Sequence, residues 1–185
     1  MAPDKTALRS QLRALRRRLA AEGPDAAHQA AQHWPKGRFA EAKVFALYHP
    51  AGSELDPTPL RAHLPAGHVA LPVATSRQAA LVFRLHGIGD PLVPDALGIP
   101  APDIAAQPAL PDVVVAPLLA FDGQGGRLGQ GGGHYDRTLA NLRRMKRVFV
   151  MGLAYAGQEL PEIPMELHDQ RLDAILTETE YREFG

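Results

Sequence analysis

The chain has 185 residues, enough for one domain with a substantial core, and its 20 Lys and Arg balance 20 Asp and Glu. A net charge of zero argues against a nucleic-acid or membrane-surface partner. With no cysteine, disulfides, thiolate-bound zinc and thiol nucleophiles are excluded; with no apolar leader or membrane-length run, the cytoplasm is the expected compartment.

Asp4 can cap a first helix whose apolar stripe is Leu8, Leu12, Leu15 and Leu19, with Gly23-Pro24 ending it. Lys5 and Arg9, four apart, share a face of that helix, while Arg13, Arg16, Arg17 and Arg18 read as a solvated basic face. A second helix runs from Asp25 towards Trp34. Residues 44–48 read as a strand, and Asp56-Pro57 as the N-cap and first position of a helix through Leu60 to Leu64. Further strands are expected at 68–71 and 81–85. Residues 90–111 hold six prolines and little periodicity, which predicts an extended connection over the surface. The apolar run 113–116 is a buried strand, followed by a glycine-rich segment and a helix through Leu139, Leu142 and Met145. Strands at 148–153 and 174–177 complete the chain, the last after a loop with Pro161 and Pro164. Apolar strands separated by helices predict a single α/β domain over residues 1–185. Its sheet should be mostly parallel with helices on both faces, a Rossmann-like three-layer architecture. Ligands of such sheets bind beyond the strand C-termini.

The segment after the 113–116 strand is the most informative. It holds Gly123, Gly125, Gly126, Gly129, Gly131, Gly132 and Gly133, embeds Arg127, and ends at Tyr135-Asp136. Strand, glycine loop and helix together point unpaired N–H groups at an anion, with the helix dipole favouring negative charge. It is not a Walker loop, because no Gly-Lys-Ser/Thr closes it. Gly129-x-Gly131 also lacks the acid that a Rossmann fingerprint places downstream. No His pair at metal-ligand spacing suggests zinc.

The run Phe121-Asp122, Gly125-Gly126-Arg127-Leu128-Gly129, Gly131, Gly133, His134-Tyr135-Asp136 resembles the signature of the 5-formyltetrahydrofolate cyclo-ligase family. Lys5-x-x-x-Arg9 and the turn at 48–56 extend the resemblance over nearly the whole chain. His134 stands where the family usually has an aromatic ring, and Gln130 at a variable position. The resemblance implies ATP- and magnesium-dependent cyclisation of 5-formyltetrahydrofolate to 5,10-methenyltetrahydrofolate. It implies ATP contacts from Lys5, Arg9, Arg127, Leu128, Gly129, Gln130, Gly131, Gly132, Gly133, His134 and Tyr135, with Arg127 and Tyr135 catalytic. Glu54, with His49, His134 and Tyr135, would meet the folate. Asp136 and Asp173 would hold Mg2+, and Asp169 reads as structural. Folate and ATP are the expected partners, without nucleic acid or membrane, for a monomer. Two other classes stay open: a non-catalytic nucleotide- or phosphate-binding α/β module, and an enzyme of sugar phosphates or CoA esters.

Overall fold

The computed structural model describes residues 5–64 and 68–185, so the expected cap at Asp4 lies outside the described residues. Helices α1 (Lys5–Glu22) and α2 (Ala26–Gln32) precede strands β1 (Val44–Ala46), β2 (His68–Val73) and β3 (Val82–Leu85). Three two-residue strands follow, β4 (Val93–Pro94), β5 (Pro100–Ala101) and β6 (Pro108–Ala109). The rest is β7 (Val113–Ala116), β8 (Ala120–Phe121), β9 (Arg127–Leu128), α3 (His134–Met145), β10 (Phe149–Leu153), β11 (Ala174–Leu176) and β12 (Tyr181–Glu183).

Eight strands form one sheet in the order β12-β11-β10-β7-β1-β2-β3-β6. The inner five, from β11 to β2, are parallel. The outer β12, β3 and β6 pair antiparallel. From β1 the chain crosses to β2 in one direction; from β7 it crosses to β10 and β11 in the other. Strand order therefore reverses between β1 and β7, and the loops leaving their C-terminal ends diverge to open a crevice there.

Burial explains the strand sequences. All four residues of β7 are at most 1% exposed, as expected of a β-branched central strand covered on both faces. Its side chains alternate between two cores. Val113 and Val115 join Phe45, Met151, Leu153 and Leu176 against Ala30, Ala31 and Trp34 at and just beyond α2. Val114 joins Val150 and Ile175 against Leu139 and Leu142 of α3. Each large apolar side chain so buried contributes about 1.5–3 kcal/mol relative to exposure. Helices thus cover both faces, as the alternating pattern predicts. The stripe of α1 has a different target: Leu8, Leu12 and Leu15 pack on Leu119, Leu128 and Ile163, so α1 braces the β8–β9 hairpin.

Three stretches differ from the sequence expectation. The helix at 56–64 is only a 3₁₀ turn, Thr58–Ala62, because Pro57 and Pro59 both lack the N–H a longer helix needs. The Asp56 carboxylate accepts the Thr58 amide (2.8 Å) and Leu60 anchors the turn in the core. Residues 90–111 are more than a surface connection. β4 and β5 pair, and β6 adds to the sheet edge beside β3. Prolines are tolerated there because short edge strands can spare an N–H. Asp95 organises this hairpin by accepting the amides of Ala74, Leu97 and Ile99 at 2.8–3.0 Å. β12, whose sequence shows no apolar alternation, is held by pairing with β11.

Gly152 of β10 sits where β11 and two loops pack closely on the sheet. A Cβ there would lie 2.7–2.8 Å from methyl carbons of Leu118, Leu172 and Ile175, all buried. Gly152→Ala should therefore cost about 1–3 kcal/mol through overpacking, measurable as a lowered urea midpoint; an unchanged midpoint would show that these methyls can move aside.

Candidate active site

The crevice at the strand-order reversal is a cleft of ≈ 440 Å³. Its walls come from the loop after β1, the segment from β7 to α3, the start of α1, the β4–β5 hairpin and the 166–169 loop.

The segment after β7 is not one continuous loop. It first folds back as the β8–β9 hairpin, whose turn is built on Asp122, 4% exposed. One Asp122 oxygen accepts the amides of Gln124 and Gly126 (2.9 and 2.8 Å), and the other accepts Ile163 N (2.8 Å). A Cβ on Gly126 would lie 2.5 Å from that carboxylate, so only glycine fits. The hairpin delivers Arg127 and Leu128 inward, and residues 129–133 then run to α3 along the cleft.

Three guanidinium groups hold this glycine run by its carbonyls. Arg9 Nε donates to Gly129 O (3.1 Å), Arg13 Nη2 to Gln130 O (3.2 Å) and Arg137 Nη2 to Gly132 O (2.7 Å). Among the described residues, no acceptor meets the amides from Gln130 to Gly133. α3 begins directly after them at His134, its N-cap residue Gly133 lies in the left-handed region (φ 64°), and no side chain caps its first turn. Free amides, an uncapped helix N-terminus and adjacent cations make an anion cradle.

Arg127 is 6% exposed. Its Nη2 donates to Asp136 Oδ1 at 2.7 Å and its guanidinium carbon stands 5.8 Å from the Tyr135 ring centre. Its Nε is buried without a partner, and Nη1 would be 3.2 Å from a Cβ on Gly129, directly beneath the glycine run. Arg127 and Asp136 are therefore bonded to each other, not separate features at two ends of a loop. Burial, aided by the Glu54 charge, raises the Tyr135 phenol well above its ordinary range, so it stays protonated.

Glu54 faces the cleft from the loop after β1. Its Oε2 accepts Ala51 N (2.9 Å), and its Oε1 lies 3.6 Å from Arg16 Nη1. Burial raises the Glu54 pKa; the Ala51 amide and the Arg16 charge oppose that rise. Beside it, the buried Tyr48 hydroxyl donates to Leu55 O.

The structure brings Lys5, Arg9, His49, Glu54, Asp136 and every residue from Arg127 to Tyr135 to this cleft. Lys5 donates to Glu166 (2.7 Å) and lies 3.5 Å from Asp169; burial lowers its pKa, but these acids outweigh that and hold it raised. The His134 ring lies against Gly132 and its Nδ1 meets Ala79 O at 3.0 Å.

Asp173 is not brought there. It precedes β11 at the N-terminal edge of the parallel strands, the far end from the crevice. Its carboxylate accepts Val150 N (2.7 Å) and pairs with Arg143 (3.3 Å). Asp169 takes the place at the cleft instead. It is half-buried beside Glu166 and His168, and the three offer ligand atoms within 4.8 Å of one another. Both bonds to the Asp136 carboxylate fall on Oδ1, the second from the amide of Gln170 (3.0 Å), the residue after Asp169, so Oδ2 keeps its lone pairs. Two oxygen donors of this kind suit a hard divalent cation held partly by a ligand's own oxygens.

Sequence reasoning missed two contributors. Leu97, Ile99 and Pro100 of the β4–β5 hairpin form an apolar wall of the cleft, with no local signal of that role. Arg16 is buried at 4% exposure and contacts the Glu54 loop. Its signal was present: Arg16 is four residues after Leu12 and three before Leu19, on the apolar stripe itself.

The comparisons agree with this architecture. The model of the 5-formyltetrahydrofolate cyclo-ligase family matches residues 1–178. The 5-formyltetrahydrofolate cyclo-ligase of Haemophilus influenzae is 36% identical over 143 residues, covering 74% of this chain and 76% of that protein. The enzyme of the same name from Escherichia coli K12 is 38% identical over 143 residues, 74% and 78% respectively. The solution structure of Aquifex aeolicus 5,10-methenyltetrahydrofolate synthetase is similar with a TM-score of 0.74 at 27% identity, covering 97% of this chain and 92% of that one.

The hairpin turn that presents Arg127 hangs on one side chain. Asp122→Ala leaves three amides without their acceptor and should cost about 2–4 kcal/mol of folding stability, read as a fall in the urea midpoint. Asp122→Asn, which keeps one oxygen, should fall between; equal stability of all three proteins would remove Asp122 from this role.

Proposed function

The chain belongs to the 5-formyltetrahydrofolate cyclo-ligase family, and on that premise we propose that its cleft closes 5-formyltetrahydrofolate to 5,10-methenyltetrahydrofolate with ATP, releasing ADP and phosphate. The observation that carries this reading is the run of unpartnered amides from Gln130 to Gly133 beside Arg127, with the Glu54 carboxylate lining the same cleft. One half suits a polyphosphate and the other a ligand with paired N–H donors, such as a pterin edge. A non-catalytic phosphate-binding module has no use for the second half.

The N5-formyl group is amide-like: a poor electrophile with a poor leaving group. Transfer of the γ-phosphoryl group to its oxygen creates a phosphorylated iminium, N10 attacks the carbon, and loss of phosphate leaves the methenyl bridge. No protein nucleophile is needed, so the work of the chain is positioning, charge stabilisation and exclusion of water. The amides of 130–133 and the N-terminus of α3 cradle phosphate oxygens. Arg127 offers Nη1 and Nε to the transferred group while Asp136 fixes Nη2. Lys5 and Arg9 add charge from α1. Tyr135, held protonated, offers a hydroxyl donor and a ring face between the two substrates. His49 and His134 border the folate side, with the His134 ring in the place of the usual aromatic.

A magnesium ion on the nucleotide would be held by Asp136 and Asp169, in place of the Asp136 and Asp173 pair expected from sequence; it supplies neutralisation of phosphate charge. Lys5, paired with Glu166 and Asp169, would turn to the phosphates as the cation takes the acids. Among the described residues no helix is long and apolar enough to cross a membrane. We take residues 1–185 to act as one monomeric domain in the cytoplasm, without a nucleic-acid partner.

Incubation of the protein with 5-formyltetrahydrofolate, ATP and magnesium should yield methenyl product, followed by its near-ultraviolet absorbance, with equal amounts of ADP and phosphate. Product that persists after chelation of magnesium and removal of ATP would sink the proposal. The metal assignment has its own test. Asp169→Asn should lower the rate at least about tenfold at limiting magnesium, with partial recovery in excess metal. Asp173→Asn should lose stability but keep the wild-type magnesium dependence; the reverse pattern would return the metal to Asp173.

A further inference from the structure

Arg16 is an arginine on the apolar stripe of a helix, with its side chain only 5% exposed. Such a group persists only where its charge and donors are met. Nε donates to Ser53 Oγ (3.2 Å) and Nη1 to Leu118 O (3.1 Å), while Nη1 stands 3.6 Å from Glu54 Oε1. Ser53 lies in the loop after β1 and Leu118 in the segment after β7. One guanidinium therefore ties together the two chain segments that diverge at the crevice, and it does so directly behind the Glu54 carboxylate.

We propose that Arg16 is the positioning residue for folate recognition, holding the Glu54 carboxylate ionised and in a fixed orientation towards the pterin. The inference rests on the reading of Glu54 as the pterin acceptor. With Oε2 bound to Ala51 N, Arg16 supplies the counter-charge at Oε1 and so opposes the rise that burial imposes on this 9%-exposed acid side chain, a rise that favours its protonated form. Among the described residues, the Tyr48 and Tyr135 phenols and the Gln130 amide also act on or with Glu54, and none of these three is a cation. A protonated Glu54 offers a donor where the pterin edge also offers donors. A lysine cannot substitute, because a single ammonium cannot reach Ser53, Leu118 and Glu54 with the planar fork's geometry.

The test is steady-state kinetics of the full chain with 5-formyltetrahydrofolate and ATP across pH, using Glu54→Gln, Arg16→Met, Arg16→Lys and the Arg16→Met/Glu54→Gln double variant. Glu54→Gln should raise the folate KM. Arg16→Met should raise it roughly tenfold at neutral pH while the ATP KM stays within about twofold, and the defect should shrink as pH rises and Glu54 ionises. Arg16→Lys should fall short of rescue, and the double variant should be no worse than Glu54→Gln alone. A rise in both KM values that is independent of pH would reduce Arg16 to a packing role and overturn the inference. If Glu54→Gln impairs folate but the Arg16 variants do not, the inference fails and the reading of Glu54 stands. If Glu54→Gln leaves the folate KM unchanged, the reading fails and the inference with it. Should Arg16→Met not fold, Ser53→Ala releases Nε alone and carries the same pH signature at about two- to threefold, its absence counting against the inference.

Discussion

The constraint on which the site depends is that the glycine run is held by its carbonyl groups. Arg9, Arg13 and Arg137 reach it from two different helices and occupy oxygens at residues 129, 130 and 132. A flexible loop would spend its amides on its own carbonyls or average over many conformations; here the carbonyls are taken, and the amides remain. Glycine is required for two reasons at once. Gly131 and Gly133 have positive φ, and Gly131 leaves no Cβ where the Arg9 side chain passes, 3.3 Å away. The packing of α1 on the β8–β9 hairpin through Leu12, Leu119 and Leu128 brings Arg9 and Arg13 to bear, so an apolar cluster outside the sheet sets the polar geometry inside the cleft.

Much of the charge at the cleft is compensated within the protein itself. Arg127 pairs with Asp136, Lys5 with Glu166 and Asp169, and Arg16 with Glu54. Partly buried charges of both signs are eased by such pairing, while Arg9 and Asp95 in the ≈ 440 Å³ cleft are met by backbone groups instead. Under the proposed function, binding of a polyanion with its cation would be an exchange of partners, cation to phosphate and acid to metal, and not the burial of new net charge. The same compensation keeps each side chain in place: Asp136, for example, orients Arg127 by one oxygen and is itself held by the Gln170 amide.

Much of this was legible in the chain. The run of β-branched residues at 113–116, the stripe of α3 and the alternation of strands and helices all announce a covered parallel sheet, and the glycine segment announces the anion cradle. What was hidden depends on sequence-distant contact. Asp169 and Asp173 lie at opposite ends of the sheet because one precedes the start of β11 by a full loop and the other by one residue; local sequence does not show that the sheet direction turns Asp173 away from the cleft. Arg16 looked like its basic neighbours Arg13, Arg17 and Arg18, although its position on the leucine stripe marked it for burial. The 90–111 stretch carried too many prolines to read as strand, yet two-residue edge strands need few amides, and the Asp95 carboxylate supplies the order that periodicity did not.

Those edge strands bear on how the molecule behaves in a crowded solution. An exposed sheet edge is a template on which another chain can grow a strand. Here one edge ends in β6, two residues long with Pro108 lacking a donor, and the other in β12, whose Arg182 and Glu183 are engaged by Glu159 and Arg38. Neither offers a long flat row of unpaired backbone. A proline that obscured the sequence pattern thus acts as a stopper at one edge and paired charges at the other, closing an eight-stranded sheet against lateral growth while leaving its C-terminal crevice open to solvent.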